Sequence, residues 1–276
     1  MRVIHSQSEL IKTLKVLTNI AFVPTMGNLH EGHHKLIEEA LKKTKYVVVS
    51  IFINPLQFNS KEDFLCYPRT IDEDLSILQK LNVPFVFAPS KEDILGALQI
   101  IEIHLPNIAN DLCGKFRPGH FNGVTTIVCK LFNLIRPDLA FFGKKDFQQL
   151  FLIKELVKQL NYPIQIIGID TIRDYDGLAK SSRNTLLSAE NRKKASQLFK
   201  LMNTMKDEVI QKTSSFKEIE ESATKSLNTS GWAVDYIAIR SAQSLKTPVH
   251  DENHIVILGA ASLGSVRLID NIEFCI

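Results

Sequence analysis

The sequence predicts an α/β protein: a doubly wound parallel sheet over residues 1–176, followed by a smaller α+β domain over residues 177–276. Three observations lead there. Short runs of β-branched and aromatic residues at 20–23, 46–53, 84–88, 138–142 and 163–169 lack polar alternation, as strands covered on both faces do. Segments with helical spacing separate these runs, which is the βαβ arrangement with right-handed crossovers. Beyond residue 176 the alternation stops, and helical patterns precede three short strands.

In chain order, Ser6 and Ser8 precede Leu10, Ile11, Leu14 and Leu17 at helical spacing, which predicts a capped helix over 6–18. The opening strand at 20–23 is broken by Pro24 and Gly27, and helical periodicity resumes for a helix over 32–44. Tyr46-Val47-Val48-Val49 leads a second strand. Thr70-Ile71-Asp72-Glu73 has the form of a capping box opening a helix to about residue 81. Residues 90–122 are less regular, with one strand-like run at 99–105. Residue types leave open whether the glycine- and cation-rich loop at 114–123 moves and touches a ligand or is a solvated turn. An apolar helix over 124–135, a strand at 138–142, a helix over 147–160 and a strand at 163–169 complete this Rossmann-like part. A polar turn at 174–177 and a polar loop at 178–184 lead to helical patterns at 189–212 and 216–228. Strands at 233–240, 254–259 and 266–270 finish the chain.

With 45% hydrophobic and 23% charged residues among 276, the chain has ample material for an ordinary globular core. A net charge of +3 is too small to argue for nucleic acid. Cys66, Cys113, Cys129 and Cys275 have no C-x-x-C spacing, so they read as free thiols of a reducing compartment. Met1-Arg2-Val3-Ile4-His5 opens no signal peptide, and no apolar run approaches the ~20 residues of a membrane span. A cytoplasmic protein without a membrane partner is expected.

The stretch from Phe22 to His34 carries most of the chemistry. A strand, a glycine turn and a helix start make an anion site when free backbone N–H groups and the positive helix end face one point. His30 and His33 sit where they can donate to phosphate oxygens. His30-Glu31-Gly32-His33-His34 also fits the H-E-x-x-H zinc pattern, but that motif needs both histidines inside a formed helix. Here the first falls at or before the helix start, and no downstream ligand spacing follows, so no protein-held metal is expected. A histidine-rich cap without chemical use is the remaining reading. Carboxyl ends of strands hold the ligand in a doubly wound sheet. The polar residues collected there are His30, His33, Asn54, Gln57, Lys145 and Asp146, with the 180–183 loop able to fold back. Cations, imidazoles and amides, with hardly a carboxylate placed as a base, suit a bound polyphosphate.

Pro24-Thr25-Met26-Gly27-Asn28-Leu29-His30-Glu31-Gly32-His33 resembles the signature of the pantoate–β-alanine ligase family, in the nucleotidyltransferase-like superfamily with its H-x-G-H motif. Similar blocks follow at 51–58, 67–74, 117–121, 142–149, 177–184 and 267–271. The resemblance implies ATP-dependent condensation of pantoate with β-alanine to pantothenate, AMP and diphosphate through a pantoyl-adenylate. By the same resemblance ATP lies on Met26, Gly27, Asn28, Leu29, His30, Glu31, Gly32, His33, Gly143, Lys144, Lys145, Asp146, Ile172, Lys180, Ser181, Ser182 and Arg183. Of these, His30, His33, Lys145, Ser182 and Arg183 carry the catalytic charge stabilisation, with Mg²⁺ bridging the nucleotide oxygens and no tightly bound organic cofactor. Gln57 and Gln149 are implied to hold pantoate, with Gln57 near β-alanine. Residues 177–276 are implied to be a lid, the loops at 113–123 and 177–184 to be covers, and the protein to be a homodimer. Asn122, Lys144 and Lys180 depart from the residues common in the family (arginine, glutamate and methionine) and are expected to tune affinity. The competing readings are a nucleotidyltransferase that leaves AMP or CMP on its product, and a nucleotide-binding module without catalysis.

Overall fold

The strand Tyr46–Ile51 shows how the sheet is made, since its valines are buried towards both faces. Val47 and Val49 join one apolar cluster, and Val48 joins the other. A strand with no polar face is stable only between two layers of helices. The computed structural model, which describes residues 1–96, 101, 103–249 and 252–276, supplies both layers.

Six parallel strands form the first sheet: β1 (Arg2–Ile4), β2 (Ile20–Thr25), β3 (Tyr46–Ile51), β4 (Phe85–Phe87), β5 (Leu139–Gly143) and β6 (Gln165–Ile169). Their order is β1-β4-β3-β2-β5-β6, so the direction of winding reverses between β2 and β5. The accompanying helices are α1 (Gln7–Leu14), α2 (Glu31–Lys43), α3 (Lys61–Cys66), α4 (Ile71–Lys80), α5 (Lys91–Leu95), α6 (Cys113–Phe116), α7 (His120–Ile135) and α8 (Phe147–Gln159). Leu10 and Leu14 of α1, Leu131 and Phe132 of α7 and Ile153 of α8 pack with Phe22 and Val48 on one face. Ile37 and Ala40 of α2 and Leu78 of α4 pack with Val23 and Val49 on the other. Ligand crevices of such sheets open at the carboxyl ends beside the reversal, here the ends of β2 and β5.

Several boundaries differ from the sequence reading. Pro24 does not end β2, which runs to Thr25. Pairing with β5 involves only Ala21 and Phe22, so the missing N–H of Pro24 lies beyond that ladder and breaks no bond. Nothing in the sequence marks the edge strand β1, because Arg-Val-Ile is too short for any period to show. Of the strand expected at 99–105, residues 99, 100 and 102 lie outside the described residues, and the others are not strand. None of the four cysteines is in a disulfide. Among the described residues no helix is long and apolar enough to cross a membrane.

The chain divides into two compact units, Met1–Lys144 with Gln149–Asp170, and Lys145–Gln148 with Thr171–Ile276. In the second unit α9 (Ala189–Lys194), α10 (Gln197–Gln211) and α11 (Phe216–Thr229) precede an antiparallel sheet of β7 (Ala233–Ser241), β8 (His254–Leu263) and β9 (Val266–Cys275). The helical pattern at 189–212 is thus interrupted at Ala195 and Ser196, and the three strands are longer than the sequence suggests. Met202, Met205, Ile219 and Leu227 bury against Ile239 and Ile257. Residues 171–176 group with this unit through their bonds. Arg173 donates to both oxygens of Asp270 at 2.6 and 2.9 Å and stacks 3.8 Å above the Phe199 ring. Arg192 bridges Asp174 at 2.9 Å and Asp176 at 2.6 Å.

The hydrogen bond from Arg192 is the main reason the Asp176 carboxyl titrates below its ordinary value. A folded value below the unfolded one adds stability above the unfolded value and loses it as pH falls through the folded one. Asp176→Asn should therefore lower the melting temperature at neutral pH. That difference should shrink once pH drops below the unfolded aspartate value of about 3.9. Thermal unfolding of both proteins across this range checks it, and a constant offset would contradict it.

Candidate active site

The carboxyl end of β2 turns sharply into α2, and each residue of the turn has a defined partner. Thr25 Oγ1 donates to Ser50 O at 2.7 Å and accepts from Gly27 N at 3.2 Å. Gly27 and Asn28 then adopt φ of +78° and +52°. Left-handed backbone favours glycine and is tolerated by asparagine. A Cβ on Gly27 would also lie 2.9 Å from Asp74 Oδ2. That carboxylate, 1% exposed, accepts from Asn28 N at 2.9 Å and Leu29 N at 2.8 Å. Thr70 Oγ1 donates to it as well, at 3.0 Å, so the capping box expected at Thr70 does not form. With Asp74 as acceptor one turn further on, the hydroxyl is drawn away from the helix's own N–H groups.

His30 is the N-cap of α2. Its Nδ1 accepts from Gly32 N at 3.1 Å, while His33 Nδ1 accepts from His30 N at 3.3 Å. The two rings lie 4.2 Å apart. Gly32 is required because a Cβ there would come within 2.8 Å of the His30 ring. Two consequences follow. The expected cradle of free backbone N–H groups is not what this turn offers, since those of Gly27, Asn28, Leu29, His30 and Gly32 are bonded internally. And a neutral imidazole whose Nδ1 accepts carries its proton on Nε2, so both rings are Nε2–H donors. This arrangement also differs from a zinc-protease helix, where both histidines sit within the helix. Among the described residues no three His, Cys, Asp or Glu side chains gather as metal ligands.

Beside the turn, Gln57 is held through both its side chain and its backbone carbonyl. Its Nε2 donates to Met26 Sδ at 3.0 Å, and its Oε1 accepts from the buried Asn54 at 3.0 Å. The Gln57 carbonyl accepts from His120 Nδ1 at 2.7 Å and from Arg117 at 3.3 Å. Gly123 is so close to the 54–57 backbone that a Cβ would sit 2.1 Å from Leu56 O. Residues 113–116 form α6 and residues 120–123 the first turn of α7, with Gly114, His120, Phe121 and Gly123 buried. A turn at 117–119, exposed at Pro118 and Gly119, joins them, and Lys115 and Phe116 are also exposed. Sequence reasoning selected Gln57 and missed Arg117 and His120 as its support; the Arg117-Pro118-Gly119-His120 run was the available signal.

At the end of β5, Gly143 precedes Lys144, whose Nζ pairs with Asp170 at 2.9 Å. Asp146 is exposed, Gln149 half-buried and its neighbour Gln148 buried. In the second unit, Asn271 Nδ2 donates to Lys145 O at 2.9 Å. Lys180 N donates to Ile172 O at 2.8 Å, and Lys180 Nζ pairs with Asp174 at 2.7 Å. Ser181 Oγ accepts from Arg183 N at 3.3 Å, opening a short 3₁₀ helix that begins at Ser182. The first unit thus brings Met26, Gly27, Asn28, Leu29, His30, Glu31, Gly32 and His33 together with Gln57. The second joins Ile172 to the 180–183 segment. Both unusual lysines, Lys144 and Lys180, are ion-paired to aspartates.

A reversing parallel sheet with paired imidazoles just beyond the end of β2 defines an α/β protein of the doubly wound kind, a class whose ligands bind at the carboxyl ends of the strands. The Pantoate-beta-alanine ligase family model matches residues 2–273. Pantothenate synthetases from Neisseria meningitidis serogroup C and Methylobacillus flagellatus are each 47% identical, covering 99% and 100% of this chain and 99% of their own. The crystal structure of pantothenate synthetase from Thermus thermophilus matches with a TM-score of 0.93 at 37% identity, over 99% of both chains. That of pantoate-beta-alanine ligase from Francisella tularensis, complexed with Beta-gamma ATP and Beta-alanine, matches with a TM-score of 0.84 at 34% identity, over 99% of this chain and 97% of its own. The chain belongs to the pantoate–β-alanine ligase family, whose members are ligases that form an amide bond.

The packing of Gly32 yields a sharp test. Gly32 is the second residue of α2, so alanine there gains less than the helix propensity of about 1 kcal/mol that it gains in a helix interior. Here its methyl would also displace the His30 ring. Gly32→Ala should therefore melt within a few degrees of the parent protein while losing most of its activity. A variant of normal activity would contradict the geometry assigned to His30.

Proposed function

We propose that the protein condenses pantoate with β-alanine at the expense of ATP, through a pantoyl-adenylate. A carboxylate is a poor acyl donor because oxide is its leaving group, and adenylation splits one hard step into two easier ones. A pantoate carboxylate oxygen attacks the α-phosphorus, and the bond from that phosphorus to diphosphate breaks. The neutral amine of β-alanine then attacks the acyl carbon, the bond to AMP breaks, and the amine proton is lost. The observation that supports this reading most is the pair of imidazoles at the start of α2, each a donor at Nε2. Such donors stabilise charge as it moves onto the departing diphosphate.

In this reading His30 and His33 act on the phosphates together with Lys145, Ser182 and Arg183. The 26–29 turn, Glu31, Gly32, Gly143, Lys144, Asp146, Ile172, Lys180 and Ser181 complete the nucleotide's surroundings. Mg²⁺ enters on the phosphate oxygens as part of the MgATP substrate. Gln57 and Gln149 hold pantoate, since amides both donate to a carboxylate and accept from hydroxyls. Residues 1–176 carry nucleotide and pantoate recognition, and residues 177–276 act as the lid. A water-free site protects the adenylate. We also infer a cytoplasmic homodimer that binds neither nucleic acid nor membrane.

AMP release from ATP should require both pantoate and β-alanine, whereas exchange of labelled diphosphate into ATP should proceed with pantoate alone. Exchange that needs β-alanine would argue against a separate first step. In the same assay Gln149→Ala should raise the pantoate requirement and leave the ATP titration nearly unchanged, because an uncharged amide offsets no phosphate charge. Lys145→Ala should do the reverse. A Gln149 variant weakened only towards ATP would overturn its role.

A further inference from the structure

Asp74 lies outside every set of residues assigned so far to nucleotide or pantoate, yet it is among the most buried polar groups of the first unit. It lies in the first turn of α4, and no part of it reaches solvent beyond 1%. Its two oxygens are divided between two consecutive backbone donors: Asn28 N reaches Oδ2 at 2.9 Å and Leu29 N reaches Oδ1 at 2.8 Å. Thr70 Oγ1 donates to Oδ2 at 3.0 Å and so orients the carboxylate from its own helix. The approach is close enough that only a glycine fits at 27, where a Cβ would meet Oδ2 at 2.9 Å. Helix α4 is itself anchored on the sheet by Leu78, which is fully buried among the residues that face β2 and β3.

These contacts form a chain that ends at the imidazoles. Leu29 is followed by His30, whose own N–H holds the His33 ring and whose ring holds Gly32 N. A change in the path of residues 28–29 therefore moves the N-cap and unseats both rings. We propose that Asp74 is a positioning residue for the reaction: it fixes the 27–29 turn so that His30 and His33 keep their Nδ1 atoms on backbone donors and present Nε2–H. This rests on the function proposed above. The carboxylate is needed as a two-sided acceptor. Asparagine has the same shape but offers one oxygen, and its NH₂ would face a backbone N–H, donor against donor. Misplacing a reacting arrangement by about 1 Å costs on the order of 10²-fold in rate.

The test compares Asp74→Asn with Leu78→Ala in the full-length protein. Leu78→Ala destabilises the same helix through the apolar cluster it shares with Leu29 and leaves the Asp74 and Thr70 hydrogen-bonding groups in place. Each is read three ways: melting temperature, diphosphate exchange with MgATP and pantoate, and imidazole nitrogen NMR of His30 and His33 without ligands. Asp74→Asn should lower the exchange kcat by ~10²-fold with the KM for ATP changed by less than about threefold. It should also replace the Nε2–H signature of the two histidines with averaged or altered signals. Leu78→Ala should lower the melting temperature while keeping kcat, measured well below melting, and the histidine signals. Should Asp74→Asn fail to fold, Thr70→Val, which removes only the orienting hydroxyl, should shift kcat and histidine signals in the same direction by a smaller factor. Unchanged kcat and unchanged histidine signals in the folded Asp74→Asn protein, or in Thr70→Val as its substitute, would overturn the proposal. A parent protein that exchanges no diphosphate would instead refute the function on which the proposal rests, while the nitrogen signals, which need no turnover, would still decide whether Asp74 holds the rings.

Discussion

The reciprocal exchange between imidazoles and backbone at the start of α2 is the constraint on which the site depends. His30 and His33 replace the usual hydroxyl or carboxylate cap, each Nδ1 taking a backbone N–H that the helix cannot satisfy itself. The cap thereby sets which nitrogen of each ring carries the proton. Gly27 and Gly32 are glycines for different reasons, the first for its left-handed backbone against Asp74 and the second for the space the His30 ring occupies. The motif is thus a piece of packing before it is a piece of chemistry.

The sheet delivers this turn to its place. Because winding reverses between β2 and β5, the chain leaves the carboxyl end of β2 at the position where sheets of this kind bind their ligands. Thr25 bonds to the neighbouring strand at Ser50, so the last residue of β2 is tied down before the turn begins. Gln57 follows β3 and is fastened by Asn54, Met26, Arg117 and His120. Asn54 and Met26 hold the side-chain amide while Arg117 and His120 hold the backbone carbonyl, so the residue loses little further freedom when a ligand arrives, which favours preorganised recognition.

Much of this was legible in the sequence because it is periodic or compositional. Phe22, Val48 and Phe141 belong to runs apolar on both faces, and such runs announce a covered parallel strand. The histidines stood out by their place after a glycine turn. What could not be read depends on partners distant in sequence. Asp74 lies 46 residues beyond Asn28, and the Thr70 hydroxyl turns to it instead of capping its helix. The 113–123 segment has the composition of a loop, yet Gly123 allows it to pack on the 54–57 backbone. Lys180 reads as a loose cation until Asp174 is seen 2.7 Å away.

The central chemical claim is that the carboxylate is activated on the α-phosphorus, with the imidazoles serving the departing diphosphate. Pantoate enriched in heavy oxygen at both carboxylate positions, turned over with ATP and β-alanine, tests it directly by mass spectrometry of the products. The account predicts one heavy oxygen in the phosphate of AMP and one in the amide of pantothenate. Unlabelled AMP, or label carried into diphosphate, would contradict it.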